Sequence, residues 1–179
     1  MKIGRIYFPV KTLGYGNRVG IWTTGCLFNC TNCISPELQD INAGVELTVD
    51  YILDIIVNTD KNVDGVTISG GEPFLQKQEL KELVHRLTGF GIDDILIFTG
   101  YTYEELKVID ARREIVDYAA CLITGRYIDT LNNGIGLRGS TNQEIIINKH
   151  KERYAGCENW ERKVQTILKH EKIISIGIP

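Results

Sequence analysis

Cys26, Cys30 and Cys33, in the run GCLFNCTNC, are spaced CxxxCxxC, which on one tight loop lets their sulfurs reach a common centre. Thiolates are soft ligands that select zinc, copper(I) or iron–sulfur clusters. A closed structural zinc site takes four protein ligands, and a four-iron cluster is usually held by four cysteines. None of the three histidines, His85, His150 and His170, is near this loop in the sequence. The two other cysteines are distant. Cys121, in the apolar run AACLITG, reads as a small buried hydrophobe. Cys157, in YAGCENW, is the residue that would have to fold back to complete a zinc site. Left at three thiolates, the loop predicts a cluster with one iron open to a small-molecule ligand.

The stretch SGGEP, Ser69 to Pro73, offers what an amino-acid-like ligand would need. Gly70 and Gly71 let the backbone approach closely. Glu72 can accept from an ammonium, and Pro73 fixes the exit into the next element. A Gly-Gly-Glu-Pro turn alone is weak evidence; with CxxxCxxC upstream it becomes specific.

A scaffold must bring these stretches together. RVGIWTTG, GVTISGG, DILIFTG and AACLITG read as strands, with TVDYILDIIVNT, LQKQELKELVHRLTG and TYEELKVIDARR as helices between them. In the second helix Leu80, Leu83, Val84 and Leu87 recur on one face and Gly89 is placed to end it. The third opens on a capping box of Thr102 and Glu105. After Gly125 comes a glycine-rich loop, NNGIGLRGSTNQ, then a strand EIIIN. A last helix carries Trp160, Val164, Ile167 and Leu168 on one face, and KIISIGI reads as a closing strand. The alternation predicts an α/β fold with a mainly parallel sheet and right-handed crossovers. Five or six strands make an open or partial barrel the expectation, since an eightfold one needs more. TTGC, SGGEP, TGY and TGR each follow a strand, so the unusual residues fall on the carboxyl edge of the sheet, where such folds place ligands.

The 179 residues suit one domain, 1–179, with no repeat or low-complexity tract. Apolar residues at 43% and charged residues at 24% are ordinary for a globular chain, and a formal charge of -3 argues against a nucleic-acid binder. No apolar run reaches the roughly 20 residues of a membrane span, and the start MKIGRIYFPVKTLG lacks a signal peptide's apolar stretch. The expectation is a cytoplasmic protein with reduced thiols. Trp22 reads as core or barrel lining, His85 and His170 as solvated helix residues, and HKERY as an exposed face.

From GYGNRVGIWTTGC through TISGGEP, FTGY and LITGRYID to LRGSTNQ, the chain resembles the radical S-adenosylmethionine (SAM) superfamily. Within it, TGY and RGSTNQ resemble the glycyl-radical-enzyme activases of the anaerobic (class III) ribonucleotide reductase branch. The resemblance implies that Cys26, Cys30 and Cys33 hold three irons of a 4Fe-4S cluster, the fourth iron taking the amino and carboxylate groups of SAM. It implies that Ser69, Gly70, Gly71, Glu72 and Pro73 surround the methionine amino group, and that Thr99, Gly100, Gly125 and Arg126 lie along the ribose and adenine. Arg138, Asn142 and Gln143 are implied as contacts to SAM or to a partner. Asn32 stands where many members carry an aromatic residue near adenine, and Gly14, Tyr15 and Gly16 stand where activases often read Gly-Pro-Gly.

The implied partner is a large glycyl-radical enzyme, the catalytic subunit of anaerobic ribonucleotide reductase, with flavodoxin or ferredoxin as reductant. Two other readings stay open. One is a radical SAM enzyme acting on a small molecule in modified-nucleoside or cofactor biosynthesis. The other is a non-catalytic metal module with Cys157 as fourth ligand.

Overall fold

A computed structural model describes residues 1–59, 62–169 and 172–179. The strands β1 (Lys2–Val10), β2 (Arg18–Thr23), β3 (Val45–Glu46), β4 (Gly65–Gly70), β5 (Ile95–Phe98), β6 (Cys121–Thr124) and β7 (Glu144–Ile147) form one sheet, in the order β3-β1-β2-β4-β5-β6-β7. Its centre, β2-β4-β5-β6, is parallel. The flanking pairs β1-β3, β1-β2 and β6-β7 are antiparallel. The sheet therefore has seven strands instead of five or six. The extra ones are β1, half-exposed along most of its length and so without a clear alternation, and the two-residue β3.

Helices α1 (Val49–Val57), α2 (Lys77–Gly89), α3 (Tyr103–Lys107) and α4 (Asp110–Tyr118) fill the crossovers. Side chains alternate across the sheet. Val19, Ile21, Ile95, Ile97 and Leu122 face a core with Ile52, Leu80, Leu83, Val84, Leu87 and Ile115 of the helices, whereas Trp22, Leu96, Cys121 and Ile123 pack in separate clusters. The third helix is interrupted, giving α3 and α4. The capping box is present, Thr102 Oγ1 accepting from Glu105 N and Glu105 Oε2 from Thr102 N. Gly89 is the last residue of α2, and the left-handed glycine of that exit is Gly91, at φ 81°.

The expected last helix is a strand. β8 (Val164–Lys169) pairs antiparallel with β9 (Lys172–Gly177), Ile167 opposite Ile174. The spacing of Val164, Ile167 and Leu168 fits a helix face, but the apolar partner that decides is non-local. Ile176 is buried with Val10, Leu13, Trp22 and Leu38, and Ile167 and Ile174 pack against them. Trp160 joins a different cluster, with Leu137, Tyr154 and Cys157. His170 lies outside the described residues; His85, on α2, is exposed and edge-on to Tyr118.

HKERY is also not an exposed face. Tyr154 is fully buried and donates its hydroxyl to Asp94 Oδ1 at 2.5 Å, Arg153 donates to Asp94 Oδ2 at 2.9 Å, and His150 Nε2 lies 3.0 Å from Asp93 Oδ1. The attraction is a buried ion pair at the amino edge of the parallel strands, between Arg18 and Asp94. Only Lys151 and Glu152 of the run are exposed.

Candidate functional site

At the opposite edge the four parallel strands end on the predicted residues. Register pairs Trp22 with Ser69, Thr23 with Gly70 and Phe98 with Ile123, so the turns that follow lie side by side. They border a cavity of about 700 Å³, within the usual range for a cofactor pocket. Cys26, Cys30, Cys33, Asn32, Ser69, Gly70, Gly71, Glu72, Thr99, Gly100, Gly125 and Gln143 all line it.

The cysteine loop is laced to the SGGEP turn. Gly71 N donates to Thr23 O at 2.8 Å and Glu72 N to Gly25 O at 2.7 Å. Gly70 has φ 111°, and a Cβ on Gly71 would run into the carbonyl of Gly25. Gly71→Ala is expected to push the turn off the cysteine loop and to cost about 1–3 kcal/mol, as forced overpacking does. Urea unfolding of the metal-free chain measures it, and an unchanged midpoint would show that the two turns are free to separate.

Glu72 is buried, 1% exposed. Its Oε1 accepts from Phe74 N at 2.9 Å and Thr99 Oγ1 at 2.8 Å, and Oε2 accepts from Gly100 N at 2.7 Å. The carboxylate thus clamps the end of β5 to the end of β4. Each carboxylate oxygen can take two donors, so Oε2 keeps capacity for one more from the cavity. Burial raises the Glu72 pKa to about 7 against the opposing hydrogen bonds from Phe74, Gly100 and Thr99 and the charge of Arg112.

A carboxyl raised in the folded state lends stability that is full below its unfolded pKa and lost as pH rises through the folded one. The metal-free chain is therefore expected to lose about 3 kcal/mol between roughly pH 4.5 and pH 7 from this group. Glu72→Gln should flatten that slope. Urea titrations at several pH values check it, and an equal slope in the variant would assign the loss to other groups.

The three cysteines are free and half-buried, and they share the cavity wall. Among the described residues, however, no three cysteine, histidine or acidic side chains meet at a point that could hold a single ion. The structure places the three thiols on one cavity wall without bringing them to a common centre. Cys157 does not supply a fourth ligand. It is fully buried with Leu96, Cys121, Ile123 and Tyr154 and is not on the cavity wall. The donor set therefore fits a cluster left one cysteine short. Burial pushes the Cys26 thiol up, so a bound cation is what would hold it as thiolate.

Other candidates are braces. Gln143 donates to Gly125 O at 2.7 Å, and its Oε1 accepts from Gly139 N at 2.8 Å and Ser140 N at 3.1 Å. Asn142 donates to Arg126 O at 2.8 Å and Arg138 to Gln143 O at 3.0 Å, so the RGSTNQ loop braces the exit of β6. Arg138, Asn142, Arg126 and Pro73 are not on the wall. Arg126 lies over the Phe28 ring, 4.8 Å from its centroid, and Pro73 is buried.

Sequence reasoning missed Phe28, Tyr127, Asp129 and the terminal stretch Ile173–Pro179, all on the wall. Tyr127 and Asp129 stand in LITGRYID, just beyond a strand end, which was a usable signal. Phe28 sits flush on Gly100, whose Cβ would collide with its ring, and edge-on to Tyr101 at 4.9 Å; no spacing rule signals that. Trp22, 6% exposed, lines the cavity as expected.

Over residues 12–146 the chain matches the family described as 4Fe-4S single cluster domain. It is similar to the anaerobic ribonucleoside-triphosphate reductase-activating protein of Enterobacteria phage T4, 30% identical over 152 residues, 83% of this chain and 95% of that one. Similarity to the protein of that name from Escherichia coli (strain K12) is 28% over 148 residues, 78% and 94% of the two chains. The pyruvate formate-lyase-activating enzyme of Clostridium pasteurianum is 29% identical over 124 residues, 65% of this chain and 52% of that enzyme.

Proposed function

We propose, starting from the fact that this chain belongs to the family of anaerobic ribonucleoside-triphosphate reductase-activating proteins, in the glycyl-radical activase branch of the radical SAM superfamily, that it generates a glycyl radical on the catalytic subunit of anaerobic ribonucleotide reductase. The observation that carries this reading is the shared cavity of Cys26, Cys30, Cys33 and the Ser69–Glu72 turn, with Cys157 buried elsewhere.

Cys26, Cys30 and Cys33 would hold a 4Fe-4S cluster and leave one iron for the amino and carboxylate groups of SAM. A cluster held there would, once reduced from outside, supply the one-electron chemistry that splits the sulfonium C–S bond of SAM and opens the way to hydrogen-atom abstraction from the partner's glycine Cα. The residues of this chain bind, orient and exclude water. Oε2 of Glu72 and the backbone at Gly70 and Gly71 would receive the methionine ammonium, with Ser69 beside them on the cavity wall. Thr99, Gly100 and Gly125 would border the ribose and adenine, and Asn32 lines the same cavity. Arg126 reaches the site through Phe28, and Gln143, Asn142 and Arg138 hold the Gly125 turn in place. Trp22, Leu13, Phe98 and Ile176 give the cavity apolar stretches that keep water from a reactive carbon. Hydrogen-atom transfer moves proton and electron together, so no general base is required.

The same reading takes residues 1–179 as one radical SAM domain of open partial-barrel form. Support comes from helices α1, α2 and α4 all meeting the core on one face of the sheet, and from the β8-β9 hairpin docked on Val10, Leu13 and Trp22. Flavodoxin or ferredoxin would supply the electron. Among the described residues no helix is long and apolar enough to cross a membrane, and the acidic net charge of -3 gives no general basis for nucleic-acid binding. The reading places the protein in the cytoplasm.

Electron paramagnetic resonance of anaerobically reconstituted, reduced protein with SAM and the reductase subunit tests the proposal. A glycyl doublet on the subunit is expected. Consumption of SAM that requires a small metabolite and leaves the subunit without a radical would overturn it.

A further inference from the structure

We propose that Asp129 is a positioning residue for the metal centre, its carboxylate fixing the turn between Cys30 and Cys33 through the side chain of Asn32; this rests on the reading of that loop as the cluster site. Residues 26–35 contain no strand or helix. Cys26 N donates to Gln39 O at 3.0 Å where the loop begins, and inside the turn Cys33 N donates to Cys30 O at 3.2 Å. Between those two cysteines Asn32 sits in the left-handed region at φ 55°. Asparagine tolerates that conformation better than most residues but does not favour it. A turn with so little internal support needs an external hold if Cys33 is to stay in one place.

Among the described residues, the side-chain tie from this turn to the body of the protein is Asn32 Nδ2 donating to Asp129 Oδ2 at 2.8 Å, across 97 positions of sequence. Both side chains are exposed, so the bond competes with water, although a carboxylate is the stronger kind of acceptor. Asp129 is itself held, its Oδ1 taking the Tyr127 hydroxyl at 2.7 Å, and Tyr127 accepts in turn from Asn132 Nδ2 at 3.3 Å. Asn132 Oδ1 accepts from Arg162 Nη1 at 2.7 Å, and Arg162 also donates to the carbonyls of Arg138 at 2.6 Å and Pro179 at 2.8 Å. The hold therefore runs from the cysteine turn through the exit of β6 to the far end of the chain, where Arg162 and Pro179 lie beyond the span matched by the cluster family. Asn32, Tyr127, Asp129 and Asn132 all stand on the cavity wall, so the tie spans the cavity's own rim.

Partners bonded directly to a metal-ligating side chain typically cost about 10–100-fold in metal affinity when lost; Asp129 bonds Asn32, the neighbour of Cys33, across an exposed contact, which sets the expectation at the lower end of that range. The test follows iron release to a ferrous chelator from the anaerobically reconstituted full chain, for wild type, Asp129→Ala, Asn32→Gly and the double variant. Each single change is expected to speed release about 10-fold, and the double variant to release no faster than the worse single, because both remove one tie. Urea unfolding of the iron-free Asp129→Ala chain is expected to match wild type.

Wild-type release from Asp129→Ala overturns the inference, as do effects that multiply in the double variant, or a loss of iron-free stability that parallels the loss of iron. A wild-type chain that retains no four-iron cluster overturns both this inference and the proposed function. A wild-type chain that forms the glycyl radical, beside an Asp129→Ala variant that keeps iron normally, overturns this inference alone.

Discussion

Cys30→Ser is expected to leave the reconstituted chain without its cluster and to lower glycyl-radical formation by about 10³-fold or more, roughly 4 kcal/mol of activation free energy. A serine hydroxyl stays protonated near neutrality and is a hard, weak ligand for iron, whereas the soft thiolate is what the metal selects. With three cysteines on the cavity wall and Cys157 buried in another cluster, no remaining thiol can replace the one removed. Cys157→Ser is the control that gives the result its meaning. It places a hydroxyl among Leu96, Ile123 and Tyr154 and should cost about 1–3 kcal/mol of stability while iron and sulfide contents stay at wild-type values. Iron and sulfide analysis together with the glycyl doublet read both variants. If Cys157→Ser lost metal as completely as Cys30→Ser, the three-thiolate site would be wrong.

Asp94→Ala is expected to destabilise the chain by about 3–5 kcal/mol, a large share of the 5–15 kcal/mol typical of a folded domain. Arg18 is fully buried and Asp94 is 2% exposed. All five guanidinium donors of Arg18 are used: Nε on Thr67 Oγ1, Nη1 on Tyr15 O and Asp94 Oδ1, Nη2 on Val66 O and Asp94 O. Without the carboxylate a buried cation loses its counter-charge, and the buried Tyr154 hydroxyl loses its acceptor.

The pH dependence has a definite sign. Burial pushes the Asp94 carboxyl up, but the Arg18 charge and the hydrogen bonds from Tyr154, Arg153 and Arg18 more than offset it and hold its pKa below 3.8. A depressed carboxyl lends stability that is present above its unfolded pKa and lost as pH falls through the folded one. Wild type should therefore lose this contribution only below about pH 4, and Asp94→Ala should lack that acid-linked loss. Urea unfolding at pH 7 and in mild acid measures both. A penalty under about 1 kcal/mol at pH 7 would show that water reaches Arg18.

How the candidate site was legible follows from these same residues. The cysteine spacing and the SGGEP turn could be read because the chemistry of a ligand set depends on residue type and local separation. The placement of TTGC, SGGEP, TGY and TGR on one edge followed from strand-helix alternation, because parallel strands must end together. Leu80, Leu83, Val84 and Leu87 were legible as a buried face for the same local reason. The terminal hairpin was not. Val164, Ile167 and Leu168 satisfy a helical spacing, and only the burial of Ile176 on Val10, Leu13 and Trp22 selects the strand. HKERY reads as polar surface until Asp94, far away in sequence, draws Tyr154 and Arg153 inward.

The amino-acid sequence by itself determined the ligand chemistry, three thiolates and a glycine-flanked carboxylate at strand ends, and the alternation that carries them to one edge, because both are matters of residue type and short separation. Tertiary structure alone decided that Cys157 stays out of the site, that Glu72 clamps the end of β5, that the terminal hairpin walls the cavity, and that Asp129 reaches Asn32 across 97 positions. Those outcomes depend on which buried groups find partners once the sheet has formed, and a contact between residues so far apart leaves no mark on the local pattern of either.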